Sequence, residues 1–156
     1  MQPGGAKSLV IEGYASLFGV EDLASDVVRA GAFTRSLARI AGVGGAGVGM
    51  LLSHVGGRTA GRWTAMREDG RGLFVRGIVS DETMAGATAL SMIAGGGLNG
   101  LSIGFVARDW SPRVVRGREL KEIELREISL VSAPMLPGAR FAAAGGIAKV
   151  RVRAVS

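Results

Sequence analysis

Apolar residues along this chain recur mostly at every second position, the period of a half-buried strand. "SLVIEGYAS" (8–16) alternates loosely and predicts a strand, followed by a loop in "FGVEDLASD". "TAGRWTAMRED" (59–69) and "GLFVRGIVS" (72–80) flank "DGRG", whose aspartate and glycines are hairpin chemistry. "MLLSHV" (50–55) is a short apolar strand candidate. "LNGLSIGFVARDW" (98–110) and "ELKEIELREISLVSA" (119–133) predict two more strands across a basic turn with Pro112 and Gly117, and Pro134 and Pro137 end the second. The period lengthens in two places. "GAFTRSLARIAG" (31–42) sets Phe33, Leu37 and Ile40 at helical spacing with glycine beyond. "DETMAGATALSMIAGGG" (81–97) predicts a second helix, with Asp81 as N-cap, a stripe of Met84, Ala87, Leu90, Ile93 and Ala94, and closing glycines. The expected class is mainly β with short helices (α+β). No repeat or boundary divides the chain, so a single domain over 1–141 is expected. A basic, glycine-interrupted tail over 142–156 is expected to be flexible or to add one edge strand.

The totals narrow the function. Of 156 residues, 47% are apolar, which supports a real core. No apolar run approaches the ~18 residues of a membrane span, and the opening "MQPGGAKSLVIEGYAS" does not read as a signal peptide. Cysteine is absent and there is one histidine, His54, so thiolate catalysis, disulfides and the usual zinc ligand sets are excluded. No metal or cofactor is expected. The net charge of +6 points to nucleic acid or an acidic protein surface. However, the arginines are scattered and aromatics make up only 5%, which gives little for base stacking. Neither nucleic acid nor membrane is the expected partner. The glycine-rich "GVGGAGVG" (42–49) lacks the Lys-Ser/Thr ending of a phosphate-binding loop.

Candidate chemistry starts at Ser102, a hydroxyl between Gly100 and Gly104 on a strand whose other parity carries Leu101, Ile103 and Phe105. If Ser102 is a nucleophile it needs a base and an orienting group. With one histidine, the base is His54, and the orienter must be a carboxylate. In "EIELREISLV" a single parity holds Ile123, Leu125, Glu127, Ser129 and Val131, so Glu127 is the acid on an apolar parity. A carboxylate there stays charged only beside a cationic donor. Each residue also has a plainer reading. Ser102 is then a structural strand serine, His54 a satisfied rim or core histidine, and Glu127 the partner of one of many arginines. "GLSIG" is not the G-x-S-x-G nucleophile elbow.

Several phrases in order resemble one family, the prohead (capsid maturation) serine proteases of tailed phages, relatives of the herpesvirus assembly proteases. They are "GYASLFG" (13–19), "DVVRAGAFTRSL" (26–37), "LLSHV" (51–55), "GRWTAMREDGRGLFVRG" (61–77), "LNGLSIGF" (98–105) and "ELREISLVSAP" (124–134). The resemblance implies a closed β-barrel with peripheral helices. It also implies a serine endopeptidase that processes scaffold or capsid-protein segments, and itself, inside assembling procapsids in the host bacterial cytoplasm. Carried over by position, Ser102 matches the nucleophile, His54 the base and Glu127 the acid. The Ser-His-His triad of the herpesvirus relatives cannot be built from one histidine. A homodimer is plausible by resemblance to those relatives. The Gly/Ala/Arg-rich composition suits a GC-rich host, with a phage, prophage or gene transfer agent as source. The competing expectation is an inactive capsid-assembly or scaffold protein that keeps the barrel, supported by the Ser53 and Val55 flanks of His54 where the family often has an aromatic and an acid or amide.

Overall fold

The computed structural model describes residues 6–42, 47–144 and 151–153. Nine strands and two helices follow in chain order: β1 (Ala6–Leu17), β2 (Val27–Val28), α1 (Thr34–Gly42), β3 (Gly49–Leu52), β4 (Thr59–Glu68), β5 (Gly72–Ser80), α2 (Met84–Ala94), β6 (Gly100–Pro112), β7 (Arg118–Val131), β8 (Phe141–Ala143) and β9 (Arg151–Arg153). All strands belong to one sheet. Its path runs β2-β7-β3-β4-β5-β1-β8, with β6 on β7 and β9 on β1. The ladder does not run continuously round. Its ends meet through an isolated bridge between Gly100 and Arg140, flanked by Leu101 N–H to Ala139 O and Phe141 N–H to Asn99 O, both 2.9 Å. The chain is mainly β with two helices, as its pattern predicts, and these few bonds are the observed extent of closure.

The hairpin signal is borne out in detail. Asp69 Oδ1 accepts from the N–H groups of Arg71 (2.8 Å) and Gly72 (3.1 Å), an aspartate turn joining β4 to β5. On β5, Leu73, Val75 and Val79 are fully buried, following the period of two. Two helix details differ from expectation. The N-cap of α2 is Thr83, whose hydroxyl accepts from Gly86 N–H at 2.9 Å; Asp81 instead accepts from Lys7 N–H at 2.9 Å, tying the helix entry to β1. The buried face of α2 is Ala85, Gly86, Ala89 and Leu90, while Met84 is 85% exposed. Small residues let this helix lie close on the sheet; of the expected stripe Leu90 is buried and Ile93 packs against the core, while Met84, Ala87 and Ala94 are exposed.

β7 organises the molecule. β6 pairs with it along one edge, antiparallel. On the other edge β2 pairs parallel with Glu119 and Leu120, and β3 parallel with Glu127 to Leu130. The gap between β2 and β3 is covered by the start of α1. Ala32 O accepts from Ile123 N–H, and the buried Ser36 hydroxyl accepts from Leu125 N–H, each 2.9 Å. A buried edge strand is thereby satisfied by a helix instead of another strand.

Part of the expected tail is strand: β8 and β9 both pair with β1. The remainder of 142–156, namely 145–150 and 154–156, lies outside the described residues, as do 43–46 of the glycine-rich loop.

Candidate functional site

The register of β7 sets the face on which Glu127 stands. Gly104 pairs with Glu127 and Phe105 with Leu125, so Arg126 is the extra residue of a β-bulge. The bulge inverts the parity. Ile123 and Leu125 point into the core before it, and Ile128 and Leu130 do so after it, all at most 1% exposed. Glu127 and Ser129 are left on the opposite face. Continuous alternation puts Glu127 with Ile123 and Leu125, and the structure corrects this. The acid stands out from a polar face because of a bulge, not inside an apolar row.

His54 arrives from the parallel neighbour. β3 ends at Leu52, and Ser53 N–H donates to Leu130 O at 2.9 Å. Ser53 (φ 56°) and His54 (φ 63°) are both left-handed, so the chain turns back along β7 and His54 sits in a turn past the strand. Each costs about 1 kcal/mol or more for a non-glycine residue, so surrounding contacts must hold the turn. Two such contacts come from β7. His54 N–H donates to Ser129 Oγ at 3.2 Å, and His54 Nδ1 meets Glu127 Oε1 at 2.5 Å. Ser129 Oγ in turn donates to Glu127 Oε2. The imidazole side chain is 44% exposed and the carboxylate 16%, so the ring's far edge can reach solvent while its inner edge is held.

Ser102 lies on the other side of the same strand. It pairs directly with Ser129, and facing residues of an antiparallel pair point to one face, so Ser102 shares the face of Ser129 and Glu127. The residue is 8% exposed. Among the described residues no hydrogen bond joins Ser102 to His54. Nucleophile–base contacts are often long without substrate. Ser102 also borders a small cleft of about 50 Å³ lined by Val20, Val28, Phe105, Met135, Asp22 and Asp26. Burial pushes the Asp22 carboxyl above its ordinary value, the Asp26 charge adds to that, and backbone donors and Arg118 oppose it.

The glycines beside Ser102 make room for neighbouring side chains. A Cβ on Gly104 would lie 2.7 Å from Glu127 Cγ and 2.8 Å from Cδ, with Oε1 nearer still, so the acid's own side chain fills that space. A Cβ on Gly100 would lie 2.7 Å from Pro134 Cδ. Sequence reasoning passes over Ser129, which alternation places beside Glu127 without showing that its hydroxyl touches both Glu127 and His54.

The basic set Arg113–Arg118 is largely neutralised. Arg113 and Arg116 reach Glu21 at 2.7 and 3.0 Å, which holds that carboxyl below its ordinary range, and Arg118 reaches Asp26 at 2.7 Å.

Comparisons with known proteins place the chain in a family. The prohead protease of Enterobacteria phage HK97 is 34% identical over 143 residues, covering 90% of this chain and 62% of that protein's length. In fold, the bacteriophage T4 capsid assembly protease matches with a TM-score of 0.65 at 16% identity, over 78% of this chain and 80% of that one. KSHV protease in complex with a hexapeptide phosphonate inhibitor matches with a TM-score of 0.59 at 12% identity, over 87% and 64%. The model of the caudovirus prohead serine proteases matches residues 1–151, and the chain belongs to that family.

Proposed function

We propose that this chain is a serine endopeptidase that cleaves scaffold or capsid-protein segments, and itself, within the assembling prohead in the host cytoplasm. Its residues are Ser102 as nucleophile, His54 as base and Glu127 as acid. The observation that carries this reading is the 2.5 Å contact of His54 Nδ1 with Glu127 Oε1, on the strand that pairs with Ser102. A carboxylate on Nδ1 fixes the tautomer whose Nε2 is free to take a proton. Ser102 Oγ attacks the scissile carbonyl carbon as His54 Nε2 removes its proton. The tetrahedral oxyanion collapses, the C–N bond breaks, and His54 donates that proton to the leaving amine. Water then hydrolyses the acyl-serine by the same steps in reverse. Glu127 stabilises the imidazolium formed in between. We further propose that the sheet ends joined at Gly100–Arg140 act as a barrel, and that capsid or scaffold protein is the partner.

The test is cleavage of the cognate capsid and scaffold proteins by the wild type and by Ser102→Ala. The variant is expected to fold and to leave both substrates intact, and a serine-directed phosphonate is expected to label Ser102. Cleavage by purified Ser102→Ala overturns the reading. An inactive assembly protein predicts neither cleavage nor labelling by wild type.

A further inference from the structure

We propose that Ser129 is a positioning residue for the His54–Glu127 pair: one buried hydroxyl fixes the acid's second oxygen and the base's backbone together. The inference rests on reading Ser102, His54 and Glu127 as the reacting group. Ser129 is fully buried. Its Oγ donates to Glu127 Oε2 and accepts from His54 N–H at 3.2 Å. The direction of both bonds is fixed by chemistry: an ionised carboxylate only accepts and a backbone N–H only donates. A hydroxyl has one proton and two lone pairs, so it can serve both at once.

The geometry separates this role from that of an ordinary satisfied serine. Glu127 has two oxygens; Oε1 meets the ring and Oε2 meets Ser129. The terminal torsion of a glutamate is broad, so an unanchored Oε2 lets the carboxylate rotate away from the imidazole. His54 sits at φ 63°, in a left-handed turn that tends to relax unless its N–H is held. Losing the hydroxyl frees both halves of the pair. Gly104 leaves the room on the β6 side that the carboxylate occupies, and the Ser129 hydroxyl anchors it there.

The experiment compares wild type with Ser129→Ala, Ser129→Thr and Ser129→Cys in the full chain. Three readings are taken: thermal stability, kcat and KM on a peptide from the cognate substrate, and the ring N–H proton resonance of the histidine. The last is unambiguous because the chain has one histidine. For Ser129→Ala, kcat is expected to fall about tenfold or more, the loss of one hydrogen bond to a charged group, with KM within about twofold. The downfield ring resonance is expected to shift or broaden, and Ser129→Thr to restore part of both. A folded Ser129→Ala with an unchanged ring resonance, or with kcat within about twofold of wild type, overturns the proposal. If Ser129→Ala does not fold, Ser129→Cys, nearly equal in size and a weaker donor, decides by the same readings. The ring resonance is also recorded in Ser102→Ala with and without Ser129→Ala, where no turnover is needed. Cleavage by Ser102→Ala sinks the triad reading, while the resonance still reports separately on whether Ser129 holds His54 to Glu127.

Discussion

Gly104 faces Glu127 across the β6–β7 ladder, and the space its missing side chain leaves is occupied by the Glu127 carboxylate that meets His54. Shape on one strand thus sets charge placement on the next. Gly104→Ala is expected to push Oε1 off the imidazole and lower kcat at least about tenfold, up to the ~10⁴ seen when a triad acid fails in its role. Because Gly104 is not in a left-handed conformation, backbone strain is not the cause. A kcat within about twofold of wild type sinks the account.

Glu127→Gln keeps the shape and removes the charge. The amide can place its NH₂ toward Nδ1 and stabilise the wrong tautomer. A loss of ~10²-fold or more in kcat, with little change in thermal midpoint, is expected in a steady-state assay. Full activity would move the acid elsewhere.

Ser36→Ala removes the acceptor of Leu125 N–H in the gap between β2 and β3. A buried donor left unpaired costs about 1–3 kcal/mol. Urea unfolding should show a lower midpoint with an unchanged slope. Since the bulge at Arg126 adjoins Leu125, a loss of kcat should accompany the loss of stability.

Asp22→Asn is expected to stabilise the protein at neutral pH. Burial raises the Asp22 carboxyl above its ordinary 3.8, so the folded state binds that proton more tightly than the unfolded chain. The stability this provides is present below 3.8 and is lost as pH rises through the raised value. Asparagine keeps the oxygen that accepts from Ala24 and Asp26 N–H and never ionises. The variant's thermal midpoint should exceed that of wild type above this window and converge with it below. Equal midpoints at pH 7 would refute the burial argument.

Glu124 gives the opposite sign. Arg108 beside it, then Arg126 and Arg39, hold its carboxyl below its ordinary 4.5. Its contribution is fully present above 4.5 and is lost as pH falls through the lowered value. Glu124→Gln should therefore lower the thermal midpoint at pH 7 and cease to matter in strong acid.

Much of this was legible from residue pattern. The "DGRG" turn folds as its chemistry requires, β5 follows its alternation, and β6 and β7 form where their pattern places them. A single histidine leaves His54 as the one imidazole to consider, and the structure sets it against Glu127. Glu127 was singled out for a reason that the structure replaces: alternation across Arg126 assumed an unbroken strand, and a bulge changes no residue's type, so nothing local announces it. Thr83 was passed over as the cap because Asp81 lies two residues earlier with equal chemistry, and what decides is the approach of the β1 backbone at Lys7. The role of Ser129 depends on a left-handed turn 75 residues away in sequence, beyond the reach of any window.

The central place of β7 also governs when the site comes into being. His54 precedes Glu127 by 73 residues, and β6 is complete before β7 begins. A chain emerging from the ribosome therefore holds His54 and Ser102 with no strand to join them, and such distant pairings are the slow ones to form. Residues up to Leu130 must be out before Ser53 finds its carbonyl and His54 its carboxylate. Strand β7 therefore joins His54 to Glu127 and Ser102 to Ser129 in one pairing step, and β8 and β9 are added to β1 only afterwards.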